Sequence, residues 1–476
     1  MDSGRSSVRS VTILRTLRQC RFIVVAGRLG LRSTLLAILF PAMTFRFTIF
    51  RPLLLLSALV AAPVASRAAV GPAAPLTPEE QKLIAAVDAG KDEFATDLEQ
   101  AVQIDSATEN LAGVKQMGEV FARQLALLGF ESHFVPLPAS TGRAGHLIAE
   151  RRGTKGRRVL LIGHLDTVYP GANFKRDGDK VSGAGVADMK GGDVVLLHAL
   201  RALHRAGLLD DTQIIVVMDG DEEAPGNPVA ITRQALLEAA KRSDVALAFE
   251  SAIGNTATVA RRGFAAWELE VQGATGHSSG MFSAAVGSGS VFETARILSG
   301  FYEQLQAMDG ITMNPALIAG GAEAELSRTG GTVSGKNNVI AQRTLVHGDL
   351  RFLSNEQFAE ARARMEAVVK NHLPRTSAEL KFSDDRYPAM APTPENYAVL
   401  AQLDQASRDL GYAEITAFDP RGRGAGDVAF VTPPLPGLDG LGLGGAGEHT
   451  THETAELTRA PELIKRSALL IYRLTR

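Results

Sequence analysis

Several acids and histidines in this 476-residue chain stand where apolar segments run out. RVLLIGHLD (158–166) carries an apolar run into His164 and Asp166, and VALAFES (245–251) ends in Glu250. IIVVMDGDEEAPG (214–226) runs into Asp219, Asp221, Glu222 and Glu223. Two glycine-rich stretches add Asp188 in GAGVADMKGGD (183–193) and His449 in GLGGAGEHTTHE (442–453), where small residues allow backbone to approach a site closely. Imidazole and carboxylate are the donors a divalent cation such as zinc takes. Carboxylates crowded as in DGDEE repel one another and are costly to bury without compensation. Either that turn is solvated or a cation sits there. Taken singly, each residue has an ordinary structural role open to it; several at one edge would mean more.

The elements that carry these residues follow from hydropathy periodicity. A helix is expected over 109–128, followed by the strand 158–163, a helix over 191–207, the strand 212–218, a helix near 229–241 and the strand 244–250. Continuous apolar strands alternating with amphipathic helices argue for a parallel or mixed sheet covered on both faces. In such sheets the ligand site lies beyond the carboxyl ends of the strands, where His164, Asp166, Glu222, Glu223 and Glu250 fall. Upstream, Thr77, Pro78 and Glu80 form a capping box that opens the first helix. After Arg261 the texture changes. GFAAWELEVQG (263–273) alternates like a half-exposed strand; a helix over about 284–308, strands near 316–325 and 338–353, a helix near 355–371 and the strand AELKF follow. That is the order of a ferredoxin-like unit. The expected organisation is a leader (1–70), an α/β catalytic domain in two parts (77–261 and 385–476), and an inserted α+β domain (262–384).

Residues 1–70 hold ten arginines and one acid, so 71–476 carry a net charge of −11. Such a surface suits neither nucleic acid nor anionic lipid, and both are excluded as partners. From Met43, a candidate start, Arg46 and Arg51 precede an apolar core of about ten residues and then small residues, the pattern of a secretory signal peptide. That core is shorter than the roughly 20 residues a membrane span requires, so no stable anchor is expected. An exported protein, periplasmic or secreted, is the expectation. The only cysteine, Cys20, lies in the leader, which excludes thiolate metal sites and cysteine nucleophiles from the rest. GAGVADMKGG lacks the Lys-Ser/Thr ending of a phosphate loop, and GEHTTHE is not the zincin pattern.

GHLDTVYP, GAGVADMKGG, GDEE, FES and GEHTTHE occur in the order and near the spacings of the M20 family of di-zinc peptidases, and residues 77–474 most resemble its glutamate carboxypeptidase branch. The resemblance implies the zinc-peptidase α/β/α fold with an inserted ferredoxin-like dimerisation or lid domain. It implies two zinc ions, with cobalt or manganese as alternatives: His164 and Glu250 on one, Glu223 and His449 on the other, Asp188 bridging. Asp166 matches the acid that orients the histidine, and Glu222 matches the general base, leaving Asp219 and Asp221 to shape the turn or stay solvated. In the insert, His277 of GATGHSSG matches a histidine that reaches the partner subunit's site in a homodimer. Asn338, Arg351 and Arg386 match or approach substrate-binding positions, and a guanidinium fork suits a terminal carboxylate. Departures stand at AAVGSGSVFE (284–293), at NNVIA, which lacks a proline after Ile340, and at Gly426, where a hydroxyl residue is usual. His452 is expected to be an exposed extra histidine. The expected activity is carboxypeptidase-type release of a C-terminal residue from a small peptide or N-acyl amino acid. A deacylase or dipeptidase and a non-catalytic peptide binder are the alternatives.

Overall fold

The computed structural model describes residues 71–327, 329–383 and 386–476; the leader, with Met43 and Cys20, lies outside the described residues. The first helix, Pro78–Ala89, opens on the capping box, with Thr77 and Glu80 each bonded to the other's backbone N–H.

A six-stranded sheet carries the candidate site. Its order is Glu131–Pro136, Gly145–Arg151, Thr212–Asp219, Lys155–His164, Val245–Ala248 and Gly437–Leu438. The last four strands run parallel, and the first two form an antiparallel edge. The apolar runs are continuous because both faces are covered. In the central strand, Val159 and Leu161 face one core, shared with the helices Lys190–Arg205 and Ala460–Leu474. Leu160 and Ile162 face the other, packed with Leu236, Val428 and Val431. All four strand residues are buried, each contributing roughly 1.5–3 kcal/mol against exposure.

The insert has its own four-stranded antiparallel sheet, ordered Thr312–Gly321, Arg343–Phe352, Gly263–Gly273 and Thr376–Phe382. With the helices Gly289–Leu305 and Asn355–Val369 this is the ferredoxin-like order and topology, to which a hairpin, Glu323–Leu326 with Gly331–Ser334, is added. Alternation along the first strand sends Ala265, Trp267, Leu269 and Val271 to the core beneath the helices. Trp267 meets Phe301 edge to face, 5.9 Å between centroids. The chain crosses between the two sheets twice, and the crossings are zipped together: Arg261 pairs with Met390 and Phe264 with Tyr387.

Two expectations need correction. The helix expected over 229–241 is two short helices, Val229–Thr232 and Gln234–Ala240, parted at Arg233, whose guanidinium turns inward to buried partners. The strand expected from 338 starts at Arg343, because 335–342 forms a loop after the extra hairpin. The helix Glu93–Val102 and the hairpin 131–151 had no counterpart in the sequence reading; the hairpin's outer strand is half exposed and weakly patterned.

Candidate metal centre

Parallel register brings the strand ends to one edge. His164 closes the central strand opposite Asp219, and Ile162 pairs with Ala248, two residues before Glu250. Glu222 and Glu223 sit in the turn that leaves Asp219. Asp188 lies two residues before the helix Lys190–Arg205. His449 arrives on the loop after Gly445–Ala446, in the left-handed backbone region (φ 58°), a conformation non-glycine residues seldom adopt outside constrained sites. Close packing explains two of the glycines: a Cβ at Gly192 or Gly442 would stand 1.8 or 2.0 Å from the Phe249 carbonyl oxygen, beside Glu250.

Asp188 joins two groups of donors. Its Oδ1 is 3.2 Å from His164 Nε2, which is 3.9 Å from Glu250 Oε1. Its Oδ2 is 3.0 Å from His449 Nε2, which is 3.2 Å from Glu223 Oε2. His164, Asp188 and Glu250 form one three-donor set and Asp188, Glu223 and His449 another, the donor atoms of each within 4.8 Å of one another. Burial pushes Glu223 and Glu250 up to about 7, the latter against the pull of Arg261. The carboxylates of Asp188 and Glu223 raise His449 to about 11. Burial opposes charge on His164, but Asp166, Asp188 and Glu250 outweigh it and its pKa stands well above the usual imidazole value. Crowded acids and imidazoles that hold protons to offset one another are a donor set from which a cation would displace those protons. The residues fit such an ion: Glu223 Oε1 is buried without a hydrogen-bond partner, and all five side chains offer nitrogen or oxygen donors. Glu222 shares a cavity of about 10 Å³ with His164, Glu250 and Asp427, and burial together with the Glu250 charge raises its pKa well above the carboxylate range.

The surrounding shell was only partly legible. His164 Nδ1 lies 3.0 Å from the Asp166 backbone carbonyl and 3.5 Å from its carboxylate, so the carbonyl is the nearer orienting group. The Asp166 carboxylate also accepts the N–H of Glu222 and of Glu223, at 3.0 and 3.1 Å, and the Thr108 hydroxyl at 2.7 Å. Glu453, which the sequence reading missed, accepts three backbone N–H bonds of 2.8 Å from Gly185, Ala187 and Asp188, fixing the loop that presents Asp188. Its place four residues after His449 was the available signal. Arg261, also missed, is buried with Nη2 3.7 Å from Glu250 Oε2 and its Nε on Asp439. Asp219 and Asp221 are not solvated. Both are fully buried; Asp219 lies 3.0 Å from His146 Nδ1, and Asp221 is paired with Arg233 while also capping the turn through Gly226 N–H.

The insert's candidate residues stand apart from this cluster. Among the described residues, none is hydrogen-bonded or ion-paired to it. His277 and Asn338 lie side by side on an exposed loop pair, Ser278 N–H donating to the Asn338 carbonyl. Arg351 stacks on Phe264 and pairs with Asp349. Arg386 lies over Phe358, 4.8 Å from the ring centroid, which gives it a packing role. His452 is exposed, as expected. A groove of about 730 Å³ runs between the insert's two helices; its Arg364 is engaged by Glu360 in the same helix, and it holds none of the metal donors.

Comparison with known proteins finds a matching family, relatives and solved structures of like fold. The family model described as Peptidase family M20/M25/M40 matches residues 160–473. Carboxypeptidase G2 of Pseudomonas sp. (strain RS-16) is 26% identical over 389 residues, covering 79% of this chain and 87% of the relative. Succinyl-diaminopimelate desuccinylase of Gluconobacter oxydans is 26% identical over 364 residues, covering 71% and 87%. The crystal structure of aminopeptidase PepT from Bacillus cereus superimposes with a TM-score of 0.63 at 18% identity, covering 81% of this chain and 99% of that one, a likeness of fold.

Proposed function

The chain belongs to peptidase family M20/M25/M40 and is a metal-dependent amide hydrolase; on that premise we propose that it releases a C-terminal amino acid from small peptides or N-acyl amino acids. The observation that carries the proposal is Asp188 shared between two three-donor sets, with Glu222 lining the same cavity as His164 and Glu250.

His164, Glu250, Asp188, Glu223 and His449 would hold two zinc ions, with cobalt or manganese tolerated by the same donors. Bound there, such ions lower the pKa of water toward about 7 and polarise a carbonyl. Glu222 then has the base's work: it takes a proton from the attacking water as the C–O bond forms and gives it to the amide nitrogen as the C–N bond breaks. Asp166 holds the N–H groups of Glu222 and Glu223 while its carbonyl orients His164. Retention of Glu222 argues against a purely binding role, since a binder has no use for a base there.

The insert's residues complete the site in a homodimer. His277 and Asn338 are exposed, and the same domain carries an exposed apolar patch that includes Phe282 (71% exposed) and Phe292, 5.7 Å between ring centroids. A second copy covering that patch would bring its His277 to the oxyanion and its Asn338 to the substrate. Arg351, one-third exposed, is the candidate for the substrate's free carboxylate. The basic and apolar pattern of residues 43–70 supports export.

The test is a panel of N-acetyl amino acids and dipeptides offered to zinc-loaded protein, with Glu222→Gln as control. C-terminal release by the wild type and its loss in the variant are expected. Cleavage of N-acetyl amino acids without cleavage of any dipeptide would favour the deacylase reading instead. Absence of all hydrolysis would reject the assignment.

A further inference from the structure

The backbone of Glu222 is held from two sides. Among the described residues no hydrogen bond reaches the Glu222 carboxylate, so its direction is set by the peptide frame beneath it. The Glu222 N–H donates to Asp166 Oδ1 at 3.0 Å. The Glu222 carbonyl accepts from the Tyr387 hydroxyl at 2.8 Å. One anchor belongs to the catalytic sheet and the other to the return crossing from the insert, where Tyr387 is zipped to Phe264 by two backbone hydrogen bonds of 3.0 and 3.1 Å.

Tyr387 is itself fixed. Arg233 Nη2 donates to its hydroxyl at 2.9 Å and to the Asp221 carbonyl at 3.1 Å, so one buried guanidinium braces both Tyr387 and the residue before the base. The Tyr387 ring packs edge-on against Phe430, 5.0 Å between centroids. A phenol that accepts one charge-assisted bond and donates another has its proton direction determined, which a phenylalanine of the same shape would not reproduce. We infer that Tyr387 is a positioning residue: through the Glu222 carbonyl it aims the base, and it makes that aim depend on how the insert is seated on the catalytic sheet. This rests on the reading of Glu222 as the base.

The test is a double-mutant cycle on zinc-loaded protein, using whichever N-acetyl amino acid or dipeptide of the panel the wild type cleaves best, with hydrogen exchange of the 214–226 segment as a readout independent of turnover. For Tyr387→Phe we expect kcat to fall about 10- to 100-fold with KM and zinc content little changed, the scale on which small misplacements act. In a Glu222→Gln background the same change should cost nothing further, because the residue acts through the base. Amides after Glu222 should exchange faster in Tyr387→Phe while those of the strand Thr212–Asp219 stay protected. A Phe variant with kcat within twofold of wild type, an additive cycle or unaltered exchange overturns the inference. Wild-type activity in Glu222→Gln alone overturns the base assignment, which is a separate failure.

Discussion

The Asp188 N–H donates to Glu453 Oε1 over 2.8 Å, although the two stand 265 positions apart in the chain. With the bonds from Gly185 and Ala187, one buried carboxylate gathers a glycine-rich loop and sets the side chain shared by both donor groups. Glu453→Gln keeps the shape but exchanges one acceptor oxygen for an amide that cannot accept. Zinc affinity, measured by chelator competition, should fall about 10- to 100-fold, the usual loss when a ligand's supporting partner is altered.

Metal occupancy should be linked to stability through the same residues. Glu223 and Glu250, both largely shielded from solvent, lie beside Asp188, an arrangement a cation relieves. Zinc at about 100 times its Kd should raise the unfolding free energy by about 2.7 kcal/mol per site. Chelation should abolish turnover and added zinc restore it. Asp188→Asn should remove most of the stabilisation by zinc in thermal denaturation, since that residue serves both sets.

Arg233 is fully buried between Asp221 and Asp427, with Nη1 2.5 Å from the first and Nε 2.7 Å from the second. Arg233→Met leaves both acids without their partner. Breaking a buried pair in this way costs roughly 3–5 kcal/mol, which urea denaturation of the variant should register as a lower midpoint.

The His146–Asp219 pair gives a pH signature of its own. Burial disfavours the charged imidazole, but Asp219 at 3.0 Å outweighs it and the His146 pKa is raised from 6.5. Burial likewise disfavours ionised Asp219, but His146 and Arg233 bring it down to about 2 from 3.8. The histidine's contribution is complete below pH 6.5 and lost as pH rises through its folded value. The aspartate's is complete above pH 3.8 and lost as pH falls toward about 2. The stability gap between wild type and His146→Gln should therefore be widest between pH 3.8 and 6.5 and narrow on either side. A gap independent of pH would show that the pair carries no charge.

The sequence by itself determined the apolar strands, the capping box at Thr77 and the ferredoxin-like order of the insert, because local periodicity and residue type are properties of the chain read in order; the family resemblance singled out His164, Asp188, Glu223, Glu250 and His449, which the fold brings together. Its errors fall where a side chain's partner lies far away. Nothing near Arg233 announces that its guanidinium will be buried against Asp427, 194 residues on, and break a helix as it turns inward. Glu453 and Tyr387 carry no assigned role in the sequence; the fold brings them to the Asp188 loop and the Glu222 carbonyl. The DGDEE run shows the division most clearly. Its sequence showed four crowded acids, and only the tertiary structure decided the partners of three of them: His146 for Asp219 and Arg233 for Asp221, while Glu223 joins Asp188 and His449. Charge is fixed by residue type, but the energy of a charge depends on distance and burial, and those exist only once the chain has folded.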